Sequence, residues 1–138
     1  MPISRIVNNL HVARADATFI VDTTSAKDFT QTDLDNNLRA ATISADNEVG
    51  MGSSGDPLVG SVEAVSVELS ASIPVDCVVQ IYGIAEFEGV ATVPAAGDRV
   101  SVDGAGKVLQ DTANDLAAIK SRGIVTNVHD TTKIEILL

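Results

Sequence analysis

The feature that most constrains this chain is punctuation: from residue 41 onward, short runs rich in Val and Ile are cut every few residues by Gly, Pro, Asp or Asn. β-Branched side chains fit a pleated surface, and the interrupting residues supply turn conformations, so the pattern predicts short strands joined by tight turns. Strands are expected at 41–44, 48–51, 58–69, 78–82, 85–90, 99–102, 107–110, 122–128 and 133–138, after a first one at 17–21. Within them Val65, Val67 and Leu69 alternate with Ser66 and Glu68, while Ile134, Ile136 and Leu138 alternate with Lys133, Glu135 and Leu137. Such period-two alternation marks strands with one wet face.

One helical signal precedes this region. Thr30 and Asp33 have capping-box spacing, Phe29 and Leu34 can staple across a first turn, and Leu34 and Leu38 share a face, which predicts a helix over 30–39. Arg39 suits the negative pole at its end. Residues 1–16 mix Ile, Val, Asn, Arg and His with no sustained period and are read as an extended arm, leaving 17–138 as a single β-rich domain.

The β region also carries an internal echo. Thr42-Ile43-Ser44, a polar turn and Val49 lead to Gly60-Ser61-Val62-Glu63-Ala64-Val65; Val100-Ser101-Val102, a turn and Val108 lead to Gly123-Ile124-Val125-Thr126-Asn127-Val128. Chance likeness between two valine-rich hairpins would produce the same echo. If it is structural, two similar halves pair their sheets into a compact β-barrel or sandwich with an extended N-terminal arm and one short helix, an arrangement that relieves the problem of exposed strand edges.

At 138 residues the chain has the length for one hydrophobic core and not two. With no Trp, one Tyr and three Phe, that core is expected to be finely divided aliphatic packing. A net charge of −10 with nine basic residues argues against a nucleic-acid partner, because phosphate contacts need clustered Lys and Arg. No stretch approaches a membrane span and no signal-peptide pattern opens the sequence, so synthesis in a cytoplasm is expected. The single cysteine, Cys77, excludes an internal disulfide framework and reads as a small buried hydrophobe; no spacing of Cys and His predicts a metal, and no cofactor is expected.

Catalytic readings fare no better. Asp103-Gly104-Ala105-Gly106-Lys107 lacks the glycine and the hydroxyl residue that a phosphate loop needs where Ser101 and Val108 stand, and reads as a hairpin turn. Glu86 and Glu88 share a face of a predicted strand, as a general acid and base would, but alternating acids on a wet face are the commoner cause of that spacing. His11 falls in the arm and His129 in a turn beside Asp130, neither with a nucleophile in view. The chain is therefore expected not to be an enzyme.

The stretch Ala91-Thr92-Val93-Pro94-Ala95-Ala96-Gly97-Asp98-Arg99-Val100-Ser101-Val102-Asp103-Gly104-Ala105-Gly106-Lys107-Val108 resembles a segment of the small capsid decoration, or cement, proteins of tailed bacteriophages. Ile43-Ser44-Ala45-Asp46-Asn47-Glu48-Val49 with Gly55-Asp56-Pro57-Leu58-Val59-Gly60 is similar to a second segment of that group, with Asn47 in place of the usual turn glycine. The resemblance covers most of 41–138 and none of the first forty residues. It implies a structural protein of the virion's outer capsid surface, partnered by the major capsid protein and by itself as a homotrimer at three-fold positions, with neither nucleic acid nor membrane as partner. On that expectation Pro2, Ile3, Ile6, Val7 and Leu10 form a capsid-contacting arm. The other function class in view is a carbohydrate-binding or adhesion β-module of a virion or secreted protein, which the scarcity of aromatic rings disfavours.

Overall fold

The computed structural model describes residues 14–24, 26–67, 73–111, 123–130 and 133–138. The protein is mainly β. Its described strands are β1 (Ala15–Val21), β2 (Ala40–Ala45), β3 (Glu48–Gly50), β4 (Gly60–Val65), β5 (Asp76–Tyr82), β6 (Ile84–Phe87), β7 (Val100–Val102), β8 (Val108–Gln110), β9 (Ile124–Asp130) and β10 (Lys133–Leu137), with one short helix, α1 (Gln31–Asp35).

β1 to β5 close a barrel in the order β1-β3-β2-β4-β5. β6, β10 and β9 form a second sheet and β7 and β8 a hairpin, tied together by a parallel bridge between Gly89 and Val108 and an antiparallel bridge between Arg99 and Ile124. With those bridges included, β6 to β10 repeat the connectivity of β1 to β5. The registers agree residue by residue. Val79 sits opposite Ala17 and Val62, just as Ile136 sits opposite Ala85 and Val125. Val49 pairs with Ile43 and, in parallel, with Val21, as Val108 pairs with Val102 and Gly89. Even the flanking hydrogen bonds correspond: Val62 N–H donates to the Arg39 carbonyl and Val125 N–H to that of Asp98, both at 2.9 Å. The echo in the sequence is thus a structural repeat, and it reaches further than the motifs, since Ala17 and Phe19 correspond to Ala85 and Phe87.

The glycine shared by the two copies has a packing cause. A Cβ on Gly60 would lie 2.1 Å from the Gln80 carbonyl oxygen, and one on Gly123 would lie 2.8 Å from Ile136 Cγ2. Each glycine lets the strand that follows press against its neighbour.

The interior departs from the expected single core. One cluster, including Val49, Val62, Cys77 and Val79, fills the closed barrel, and another, including Phe87, Val108, Val125, Ile134 and Ile136, fills the second half. Small aliphatic side chains make this possible, since a five-strand unit is narrow enough for Val and Ala to fill it. The units are not independent: neighbouring residues Ala40 and Ala41 on β2, both fully buried, point to opposite faces and join different clusters.

Several element boundaries differ from expectation. The helix starts as predicted, with Thr30 capping the Asp33 N–H and the Asp33 carboxylate returning to the Thr30 N–H, and Phe29 and Leu34 are buried in one cluster. It stops at Asn36, because Asn37 adopts a left-handed φ of 59° that no helix continues. The strand expected over 58–69 ends at Val65: Ser66 N–H bonds the Asp76 carbonyl, its hydroxyl accepts from the Asp76 N–H, and Val67 leaves the sheet 80% exposed. Leu69 lies outside the described residues. β6 ends at Phe87, short of the predicted 90, because the chain shifts its pairing from β10 to β8 at Gly89. β1 begins at Ala15, inside the segment assigned to the arm; Pro2, Ile3, Ile6, Val7, Leu10 and His11 lie outside the described residues.

Candidate functional site

The repeat supplies a ruler for finding what is unusual on the surface. On the outer face of the barrel, Ala40, Ser61, Gln80 and Asp16 stand side by side on β2, β4, β5 and β1. Ala40, Ser61 and Gln80 are buried there, because the second half lies over them. Gln80 Nε2 donates to the carbonyls of Tyr82 and Ile84 at 3.1 and 3.2 Å, so the chain entering β6 satisfies the polar group it covers.

The corresponding row in the second half is Arg99, Ile124, Leu137 and Ile84, joined by the pairings Arg99 with Ile124, Ile124 with Leu137, and Leu137 with Ile84. Here nothing in the described chain lies on top. Ile124, Leu137 and Ile84 are 38%, 42% and 40% exposed, and Tyr82, two residues before Ile84, is 48% exposed. Three aliphatic side chains on adjacent strands about 4.8 Å apart make one continuous apolar strip. The strip is bordered by Glu86 and Glu135, which face each other on β6 and β10, and by Thr126. An apolar centre with a charged and polar rim is the anatomy of a protein interface.

The residues singled out for chemistry are spread apart. Glu88 lies beyond β6 and its carboxylate is 3.4 Å from Lys107 Nζ, whereas Glu86 is exposed on the strand's outer face. His129 is on β9, not in a turn, with Nε2 3.6 Å from Glu135. Asp103 Oδ1 accepts from the N–H groups of Ala105 and Lys107 at 2.7 and 2.9 Å, so the glycine segment closes the β7–β8 hairpin on its own aspartate. Among the described residues no group of three or more His, Cys, Asp and Glu is placed to hold a metal ion. Cys77 is buried in the barrel core, where burial pushes its thiol up to about 11.

The two segments that carried the family resemblance meet in space. Gly55 N–H donates to the Val102 carbonyl at 2.9 Å, Val102 N–H to that of Asp56 at 3.0 Å, and Pro57 bridges Ser101. Asp56 and Asp98 each fasten their own turn, accepting at 2.8 Å from the N–H groups of Ser53 and Ala95. Gly55, Asp56 and Pro57 thus form a joint with Ser101 and Val102, while Ala95, Ala96, Gly97 and Arg99 of the same segments are exposed.

Sequence reasoning missed the apolar row because its members come from three strands far apart along the chain. One signal was present: Leu137 falls in the phase of Lys133 and Glu135, an apolar residue on the side that alternation assigns to water. No protein-family model, no curated protein and no solved structure matches this chain.

Proposed function

We propose that this chain is a head decoration protein of a tailed bacteriophage, which binds the outer surface of the capsid as a trimer at three-fold positions and strengthens contacts between major capsid proteins. The observation that carries the reading is the row of Ile84, Leu137 and Ile124, left exposed by the described residues on the face that in the other half of the molecule is covered by a packed protein unit. A shallow apolar strip on a regular sheet suits a broad protein surface better than a small ligand, which prefers concavity. The turn motifs shared with the decoration proteins support the same reading. So does repetition of the shell, since many copies bound to a lattice need only modest affinity each.

The test is binding to expanded heads that lack the protein, comparing wild type with the double variant Ile84→Asp, Leu137→Asp. Both positions are well exposed, so the variant should keep its circular dichroism spectrum while its head affinity falls by about a hundredfold. Equal binding by the folded variant, or no binding by wild type, overturns the proposal.

A further inference from the structure

The internal repeat also shows where the first half has been added to. Eighteen residues (22–39) link β1 to β2, against nine (90–98) at the corresponding place in the second half, and ten (66–75) link β4 to β5, against four between Val128 and Lys133. Both extensions border one groove of about 810 Å³ at the end of the barrel. The longer β4–β5 link brings Val67, Ile73, Pro74 and Val75 to one wall, with Val67 and Ile73 80% and 51% exposed. The segment leading into α1 supplies Phe29 and Asp28, and the ends of β1 and β3 supply Ile20, Asp22 and Glu48. Among the described residues the groove is thus apolar with three acids on its rim, and no Lys, Arg or His among them lines it.

One segment of this chain has the complementary character. Residues 1–13 contain Ile3, Ile6, Val7 and Leu10, one arginine, Arg5, and no Asp or Glu, in a protein of net charge −10. Arg14, where this segment joins the barrel, lies at the far end of β1 from the groove. β1 runs from Ala15 toward the groove, so residues 1–13 join the barrel at the opposite end of a strand roughly 23 Å long. An arm that continues the line of β1 backwards leads away from its own groove. Ile6 lies eight residue steps before Arg14, a reach of roughly 26–29 Å, enough to cross to an adjacent molecule.

We propose that the groove receives the amino-terminal arm of a second copy, with Ile6 and Val7 against Val67 and Ile73, and Arg5 beside the acids of the rim. The arm then ties copies to one another, in place of the direct capsid contact that the sequence resemblance implies. This holds in solution for the isolated protein and does not depend on what the uncovered row binds.

The test is the mass of the full chain by light scattering, together with Ile6→Glu and Ile73→Glu. Wild type should have a multiple of the 14.3 kDa chain mass. Each variant, with an unchanged circular dichroism spectrum, should raise the concentration of half-dissociation about tenfold or more. In a mixture of Ile6→Cys and Ile73→Cys proteins under mild oxidation, a disulfide-linked dimer containing both should form. A wild-type monomer at all concentrations overturns the proposal, as does an unchanged assembly in either glutamate variant or the absence of the mixed dimer.

Discussion

Ala40, Ser61, Gln80 and Asp16 in the first half occupy the places of Arg99, Ile124, Leu137 and Ile84 in the second, yet the two rows differ in chemistry, and Ala40, Ser61 and Gln80 are buried where their three counterparts are exposed. The covered row is small or polar and finds its partners inside the molecule; the uncovered row is aliphatic at its centre. Hydrophobic burial alone would predict the reverse assignment. The difference teaches that backbone framework and surface chemistry vary separately in a repeat. Register and the buried valines are kept because a one-residue slip would turn every core side chain outward, whereas each outer face is free to match its own neighbour.

The largest test of this comparison lies in the two cores. Phe87 is fully buried and its counterpart Phe19 only partly so. Phe87→Ala should destabilise the protein by about 3–5 kcal/mol and Phe19→Ala by about 2 kcal/mol, read from urea denaturation. Equal losses would show that the halves are packed alike after all.

A smaller effect is expected at the hairpin turns, where Asn47 and Gly106 are counterparts, with left-handed φ of 56° and 88°. Asn47→Ala should cost about 1 kcal/mol, since asparagine tolerates that region better than alanine. Gly106→Ala should cost about 2–4 kcal/mol, because its new Cβ also meets the Leu38 Cβ at 2.7 Å. Reversal of that order would mean that the β7–β8 turn yields where the β2–β3 turn does not.

The smallest concerns Cys77, which stands where the second core has Ile134. Its thiol is held neutral up to about 11 against an ordinary value of 9.0, chiefly by burial. The unfolded chain therefore loses this proton first, so stability falls between pH 9 and pH 11 through this group. Compared with wild type, Cys77→Val should show a shallower fall in that window and little change at pH 7. Identical pH profiles would place Cys77 in contact with water.

The parts of the fold that were legible in the sequence are those governed by neighbours along the chain. Thr30 and Asp33 announced the cap, the run after Lys133 announced β10, and the two glycine-led valine strands announced the repeat. The equivalence of Phe19 with Phe87 was hidden, because the residues that flank them, Thr18 and Ile20 in one case and Glu86 and Glu88 in the other, share no chemistry. The second core was hidden too, since a count of residues cannot reveal that Ala40 and Ala41 face different interiors. Val67 misled because its alternation with Val65 continued past the point where pairing with β5 ended.

By itself the sequence determined a mainly β chain of short aliphatic strands, a capped turn of helix and a doubled motif, all of which follow from local sterics and period-two patterning. Tertiary structure decided which doubled face is covered and which is open, and that both long links gather at one groove. Those outcomes depend on which strands become neighbours, and strand pairing joins residues as distant as Ile84 and Leu137.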